Sequence, residues 1–303
     1  MKPDLTTSVG PLELTSPLVA ASGTVGSVVD FAGVADLSVY GAAVAKSVSE
    51  EPWSGLPPPR LAAAGAGMLN AIGIQNPGIE RWVADFAPRI GSLPVPVWGS
   101  AVGTSPGEFG RVAAGLDSAG VIAVEVNLSC PNLAGEMFSL APVSAAEVVE
   151  AVRAATLLPV GAKLSPNTVE IAAVAGACLG AGADFLVLTN TVWGAGIDLW
   201  ERRPTVNGGI GGYSGPPLKP IALRCVIEVH RSFPDAAIVG CGGVATGIDV
   251  IEYLLAGASA VAMGTVHFAE PKAGRRIHRE LKRLLQKIGA GSVRELIGEL
   301  KLT

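Results

Sequence analysis

The chemistry in this chain is concentrated in one stretch, Val124-Glu125-Val126-Asn127-Leu128-Ser129-Cys130-Pro131-Asn132. Its apolar residues have strand character, and Pro131 removes a backbone donor where the ladder must stop. Asn127 and Asn132 each offer one acceptor and two donors. Between them, Cys130 can act as base or nucleophile once its thiolate is accessible. A lone Cys in an apolar chain is most often a small buried hydrophobe. A strand end bracketed by two Asn favours chemistry instead.

The chain that must hold this stretch has 303 residues, 49% of them hydrophobic and 16% charged, a composition for a large buried core and not for disorder. The net charge of −4, with Lys and Arg scattered, supplies no basic patch for nucleic acid. Cys130, Cys178, Cys225 and Cys241 form no C-x-x-C pair, so neither zinc nor an iron–sulfur cluster is expected within this chain. Few cysteines and no secretory signal point to a cytoplasmic protein. No apolar run is long enough to span a membrane.

Residues 6–14 read as a hairpin around Gly10-Pro11. Apolar strands follow at 17–21, 41–45, 95–102, 121–128, 159–164, 184–188, 236–240 and 260–263. Helix patterns fit 79–90, 106–119, 144–157, 169–182, 217–231, 247–256, 271–288 and 292–300. Residues 46–78 read as irregular, and 189–215 as a long excursion. Continuously apolar strands, most followed by a helix, suit a parallel sheet buried on both faces. The pattern predicts a single α/β domain over residues 1–303, a (β/α)8 TIM barrel. It carries an N-terminal hairpin and insertions after strands 2, 4 and 6. An open doubly wound sheet is the alternative.

In a barrel the site lies at the C-terminal strand ends. Those ends carry Ser22, Lys46, Ser100, Asn127 with Cys130 and Asn132, Lys163, Asn190 with Thr191, Gly242 with Gly243, and Gly264 with Thr265. A lysine at a barrel mouth needs a polar or charged partner. Glycines at the seventh and eighth ends would let backbone N–H groups approach a phosphate, aided by a helix N-terminus. Residues 240–245 match G-x-G-x-x-A, but the acidic residue of a dinucleotide site is missing. A mononucleotide cofactor across the mouth is the better expectation, with Lys46 and Lys163 at its ring edge or phosphate.

Nearly the whole chain resembles the dihydroorotate dehydrogenases. The likeness rests on Ala21-Ser22-Gly23-Thr24, residues 68–78, residues 127–132, Ala162-Lys163-Leu164-Ser165-Pro166, Asn190-Thr191, residues 211–216, Lys219-Pro220 and Gly264-Thr265. It implies an FMN barrel oxidising dihydroorotate to orotate in de novo pyrimidine biosynthesis. Cys130 would be the base that removes the C5 proton, with hydride passing from C6 to FMN N5. A cysteine base marks the cytosolic class. Residues 70–78 and the Pro-rich 56–60 look like the NAD-linked subclass, whose FMN barrel pairs with a subunit carrying FAD and a 2Fe–2S cluster.

Carried over by motif, Ser22, Lys46, Ser47, Asn127, Lys163, Gly215, Gly242, Gly243, Gly264 and Thr265 are FMN contacts. Ser100 joins them where the family often has an amide. Lys46, Asn70, Ala71, Ile72, Gly73, Ile74, Asn127, Asn132, Asn190 and Thr191 are substrate contacts. Lys46 also stabilises charge beside the Cys130 base. The resemblance implies a homodimer or a heterotetramer and leaves the acceptor open among NAD through a partner, fumarate and a quinone. Phe138-Ser139, Trp193 and Trp200 depart from the family's pattern. Related alternatives are a dihydropyrimidine dehydrogenase, a dihydrouridine synthase, or a flavin barrel without activity. Cys178, Cys225 and Cys241 are expected to pack in the core, and His230 and His278 to be exposed. His267 is expected to face solvent or cap a helix rather than line the phosphate loop. Trp53 and residues 57–59 suit a partner contact or a surface loop.

Overall fold

The computed structural model describes residues 3–129 and 138–301, so Cys130 and Asn132 lie outside the described residues. Strands Leu18–Ala20, Ala42–Val44, Val97–Ala101, Ala123–Asn127, Val160–Leu164, Phe185–Leu188, Ile238–Cys241 and Ala260–Met263 close into one barrel. Each neighbouring pair is parallel, and Leu18–Ala20 joins both Ala42–Val44 and Ala260–Met263. The last two pairings exclude the open sheet, which would leave both edges unpaired.

Successive side chains point to opposite faces. Leu18, Val124, Leu186 and Val261 belong to the cluster under the helices. Val19, Trp98, Phe185 and Val239 fill the interior. Both faces are dry, which is why the strands show no polar alternation. The hairpin of Thr7–Val9 and Leu12–Leu14 closes the N-terminal end of the barrel, adding Val9, Leu12 and Leu14 to the interior cluster.

The Trp98 and Phe185 rings meet at 5.0 Å between centroids in that interior. A Cβ on Gly161 would collide with the Phe185 ring. Gly161→Ala is therefore expected to overpack the barrel and cost about 1–3 kcal/mol. Urea denaturation checks this, and an unchanged midpoint would mean the interior has room to spare.

Two helical expectations change. A short helix, Val266–Ala269, follows the eighth strand, and the chain end forms only the 3-10 turn Val293–Leu296. Val293 N donates to Asp4 O, and Gly298 takes a left-handed φ of 77° that ends any helix there. Phe138–Leu140 is a buried 3-10 turn, with Phe138 edge-on to Phe109 at 5.7 Å.

The larger correction concerns the stretch read as irregular. Leu61–Ala64 and Gly67–Asn70 form a hairpin, and the excursion after the sixth strand supplies Val192–Gly194 and Gly211–Ser214. All four make one antiparallel sheet, with Asn70 opposite Gly212 and Trp193 also opposite Gly212. Its Ala, Gly and Asn residues are weak strand formers, and although Leu61–Ala64 pairs locally with Gly67–Asn70, that hairpin joins Gly211–Ser214 across a long stretch of chain. Nothing local announces that joining. Among the described residues no helix is long and apolar enough to cross a membrane.

Candidate active site

A cavity of about 1210 Å³ lies between the C-terminal strand ends and the antiparallel sheet. Its wall includes Ser22, Lys46, Ser47, Asn127, Lys163, Asn190 and Thr191 from the strand ends. Asn70, Ala71, Ile72, Gly73 and Ile74 reach it from the first insertion, and Gly215, Gly242, Gly243, Gly264 and Thr265 from the glycine turns. Ser100 is the exception. It is fully buried behind the wall and reaches the cavity only through Ser47, whose Oγ lies 2.9 Å from its own.

The polar groups form a web across the mouth. Ser22 Oγ donates to Ala45 O at 2.7 Å, and Asn127 Nδ2 donates to Ser47 Oγ at 3.2 Å. Asn190 Nδ2 donates to Asn127 Oδ1 at 3.2 Å, while its own Oδ1 accepts from Thr191 N at 2.8 Å. Asn70 Nδ2 donates to Gly212 O at 3.1 Å, tying the roof strand to its neighbour. The amides are thus oriented by one another. A preset arrangement of donors and acceptors recognises a small ring carrying both.

Lys163 has the partner its position requires. Its ammonium lies 3.4 Å from Glu125 Oε1, and both side chains are more than nine-tenths buried. Glu125 sits in an apolar strand run and faces inward, in line with Ala123 and Asn127. Sequence reading passed over it; an isolated carboxylate inside an otherwise apolar buried strand is the signal that would have found it.

The glycine turns have two different reasons for glycine. Gly243 has φ +70°, and a Cβ there would meet Lys219 N and Cβ at 2.7 Å, so the chain itself demands it. Gly264 lies outside the left-handed region, and a Cβ would touch only Thr24 Cγ2 and Ala21 Cβ at 3.5 and 3.6 Å. The protein would accept alanine there. What a side chain would take up is cavity, so the bare backbone at Gly264 suits close approach by a bound group.

Of the helix termini at this end, the one after the seventh strand is already taken, whereas helix Val266–Ala269 starts at Thr265 on the cavity wall. In helix Gly247–Leu255, Asp249 Oδ2 accepts from Ala245 N, Thr246 N and Thr246 Oγ1 at 2.7–2.9 Å. Glu280 Oε2 accepts from Gly247 N at 2.8 Å. Carboxylates of the chain itself already cap the Gly247–Leu255 terminus, which leaves the glycine turns and the start of Val266–Ala269 to face an anion in the cavity.

His267 faces neither solvent nor the cavity. It is 2% exposed, with Nδ1 3.1 Å from Thr24 Oγ1 and Nε2 2.9 Å from the Tyr40 hydroxyl. The Phe31 ring lies 5.7 Å away. Burial pushes its pKa down to about 4, below the 6.5 of an open chain. The unfolded chain then binds the extra proton first. Stability contributed by neutral His267 is complete above pH 6.5 and lost as pH falls through 4, by roughly 3 kcal/mol. Denaturation midpoints should fall more between pH 7.5 and pH 4.5 in wild type than in His267→Gln; equal falls would refute it.

Cys178, Cys225 and Cys241 are buried, the first with its thiol pushed up by burial to about 12. Cys241 also touches the cavity floor. His230 and His278 are half-buried rather than exposed. Trp53 bridges to Asn76 and lines the cavity, which neither expectation for it foresaw. Thr24, Trp193 and Ser214, noted in the sequence without a site role, are wall residues, and so is Thr189, which sequence reading missed. Trp200 is 89% exposed and lies outside the wall.

The family model described as dihydroorotate dehydrogenase matches residues 4–285. The chain is 42% identical over 304 aligned residues to "Dihydroorotate dehydrogenase B (NAD(+)), catalytic subunit" of Pelobacter propionicus, covering 99% of this chain and 100% of that one. It is 43% identical to the protein of the same name from Geobacter sulfurreducens, covering 99% of each. The crystal structure of DHODH in complex with ferulenol from Eimeria tenella superposes with a TM-score of 0.81. It covers 98% of this chain and 88% of that one at 20% identity, a likeness of fold.

Proposed function

The chain belongs to the dihydroorotate dehydrogenase family, and from that premise we propose that it is the FMN-binding catalytic subunit of an NAD-linked enzyme that oxidises dihydroorotate to orotate in pyrimidine biosynthesis. The observation that carries this is the cavity itself. Preset amides and two lysines line it together with the glycine turns, where bare backbone at Gly264 is left uncrowded by the chain's own atoms. The residues present therefore fit a flavin mononucleotide.

FMN, when bound, supplies a two-electron acceptor for the hydride that leaves C6 of the substrate. Ser22, Ser47, Lys46, Asn127 and Lys163 would bind its ring edge, and Gly215, Gly242, Gly243, Gly264 and Thr265 its phosphate. Ser100 acts through Ser47. Asn70, Asn127 and Asn190, with Asn132 and Thr191, orient the substrate's carboxylate and ring amides. The backbone of residues 71–74 covers them and excludes water. Cys130 takes the proton from C5. It is named by motif, and its place lies outside the described residues. Lys46 stabilises negative charge that develops at the reacting edge. The named relatives are catalytic subunits, which supports a second, electron-transferring subunit carrying FAD and a 2Fe–2S cluster.

Anaerobic addition of dihydroorotate to the purified yellow protein should bleach its flavin absorption, and dihydrouracil should not. Bleaching by dihydrouracil alone would make the protein another pyrimidine reductase. A colourless chain that takes up no added FMN would remove the cofactor assignment.

A further inference from the structure

Thr24 lies on the cavity wall, and His267 behind it belongs to no site motif. Their hydrogen bonds have only one consistent direction. Thr24 Oγ1 donates to Ala21 O at 2.8 Å, and a carbonyl cannot donate in return. With its single proton used, Thr24 Oγ1 can only accept from His267, so Nδ1 carries the ring proton. The buried ring is neutral, so Nε2 is an acceptor and takes the Tyr40 hydroxyl proton at 2.9 Å. Gly274 packs directly behind the Tyr40 hydroxyl.

It lies in the first turn of helix Ala273–Ile288. A Cβ on Gly274 would collide with the Tyr40 hydroxyl, so glycine is what admits it. Three bonds thus run in one sense, from Tyr40 through His267 and Thr24 to the carbonyl at the end of the first strand. Bonds aligned head to tail polarise one another. The chain of bonds joins the turn after the first strand to the turn after the eighth, because His267 sits three residues beyond Gly264 and its own N–H donates to Gly264 O at 2.9 Å.

The geometry points to His267 as a positioning residue: through its Nδ1–H it fixes Thr24 and the turn of Ala21 to Thr24 against the Gly264–Thr265 turn, and so sets how tightly the glycine end of the cavity holds the cofactor's phosphate. The inference rests on the FMN assignment above. His267 touches nothing in the cavity; it acts through Thr24.

The test separates the two sides of the ring. In His267→Asn the amide nitrogen stands where Nδ1 was, keeping the donor to Thr24 and losing Tyr40. In His267→Gln the amide stands where Nε2 was, keeping the acceptor for Tyr40 and losing Thr24. FMN dissociation constants, from quenching of free-flavin fluorescence, are measured beside melting temperatures. The expected result is about tenfold weaker FMN binding in His267→Gln and binding within about threefold of wild type in His267→Asn. Both variants should melt lower. Thr24→Val should match the loss of His267→Gln, and the double variant should be no worse than either.

Equal FMN affinity in the Asn and Gln variants, or additive losses in the double variant, would overturn the inference. If neither His267 variant folds, Thr24→Val decides alone: tenfold weaker binding supports it and unchanged binding overturns it. Wild-type protein that binds no FMN would instead sink the cofactor assignment, a result legible before any variant is made.

Discussion

Cys130→Ser is expected to lower the rate of flavin reduction by dihydroorotate by about two to four orders of magnitude, the usual contribution of a positioned base. The flavin should stay bound, because none of the cofactor contacts assigned here is made by that side chain. The cause is proton affinity. A free thiol titrates near ~8.5, so part of it is ionised in mildly alkaline solution, while a serine hydroxyl keeps its proton throughout that range. Wild-type reduction should therefore rise with pH by up to about tenfold per unit below the thiol's pKa and level off above it. A neighbouring lysine would move the plateau to lower pH. The serine variant should lack that rise. Stopped-flow reduction without oxygen measures both. Near-normal reduction at neutral pH in the serine variant would take Cys130 out of the role.

Lys163→Met should be the most destabilising single change in the site. It leaves the Glu125 carboxylate, 2% exposed, without the ammonium that lies 3.4 Å from it. Breaking a buried pair from one side costs about 3–5 kcal/mol, since the surviving charge has no water to return to. In a chain of this length that is a fall of roughly 10 °C in Tm. Adding Glu125→Gln should restore at least half of the loss, because the group left behind is then neutral. Measured on flavin-free protein, the comparison isolates the pair from any contact with cofactor. A double variant no more stable than Lys163→Met would show that Glu125 was not the group left in distress.

The same pair shows how sequence and fold divide the information. Lys163 stood out because a lysine at a strand end needs a partner; which partner was invisible. Glu125 and Lys163 are 38 residues apart, and only the parallel register that sets Glu125 beside Gly161 puts both side chains on the inward face. The barrel was legible because its cause is local. Each strand is an apolar run buried on both sides, and each helix is a separate periodic segment, so eight units could be counted without knowing how any two touch.

The residue types of the wall were legible for the same reason. Strand ends are local features, and a barrel places all of its strand ends on one face. Whether each side chain reaches the cavity was not, as Ser100 shows by lying one hydrogen bond behind Ser47. The roof was hidden altogether. Its strands are rich in Ala and Gly, and beyond the local hairpin of 61–70 they acquire their place from partners about 140 positions away, with Asn70 set against Gly212. His267 was misjudged by the same cause: sequence neighbours suggested solvent, and the closing helix, Phe31 and Tyr40 buried it. Local patterning determined what this chain would build and which chemistry it could offer. Long-range pairing decided which of those groups stand together, because burial and partnership belong to positions in space and not to positions in the chain.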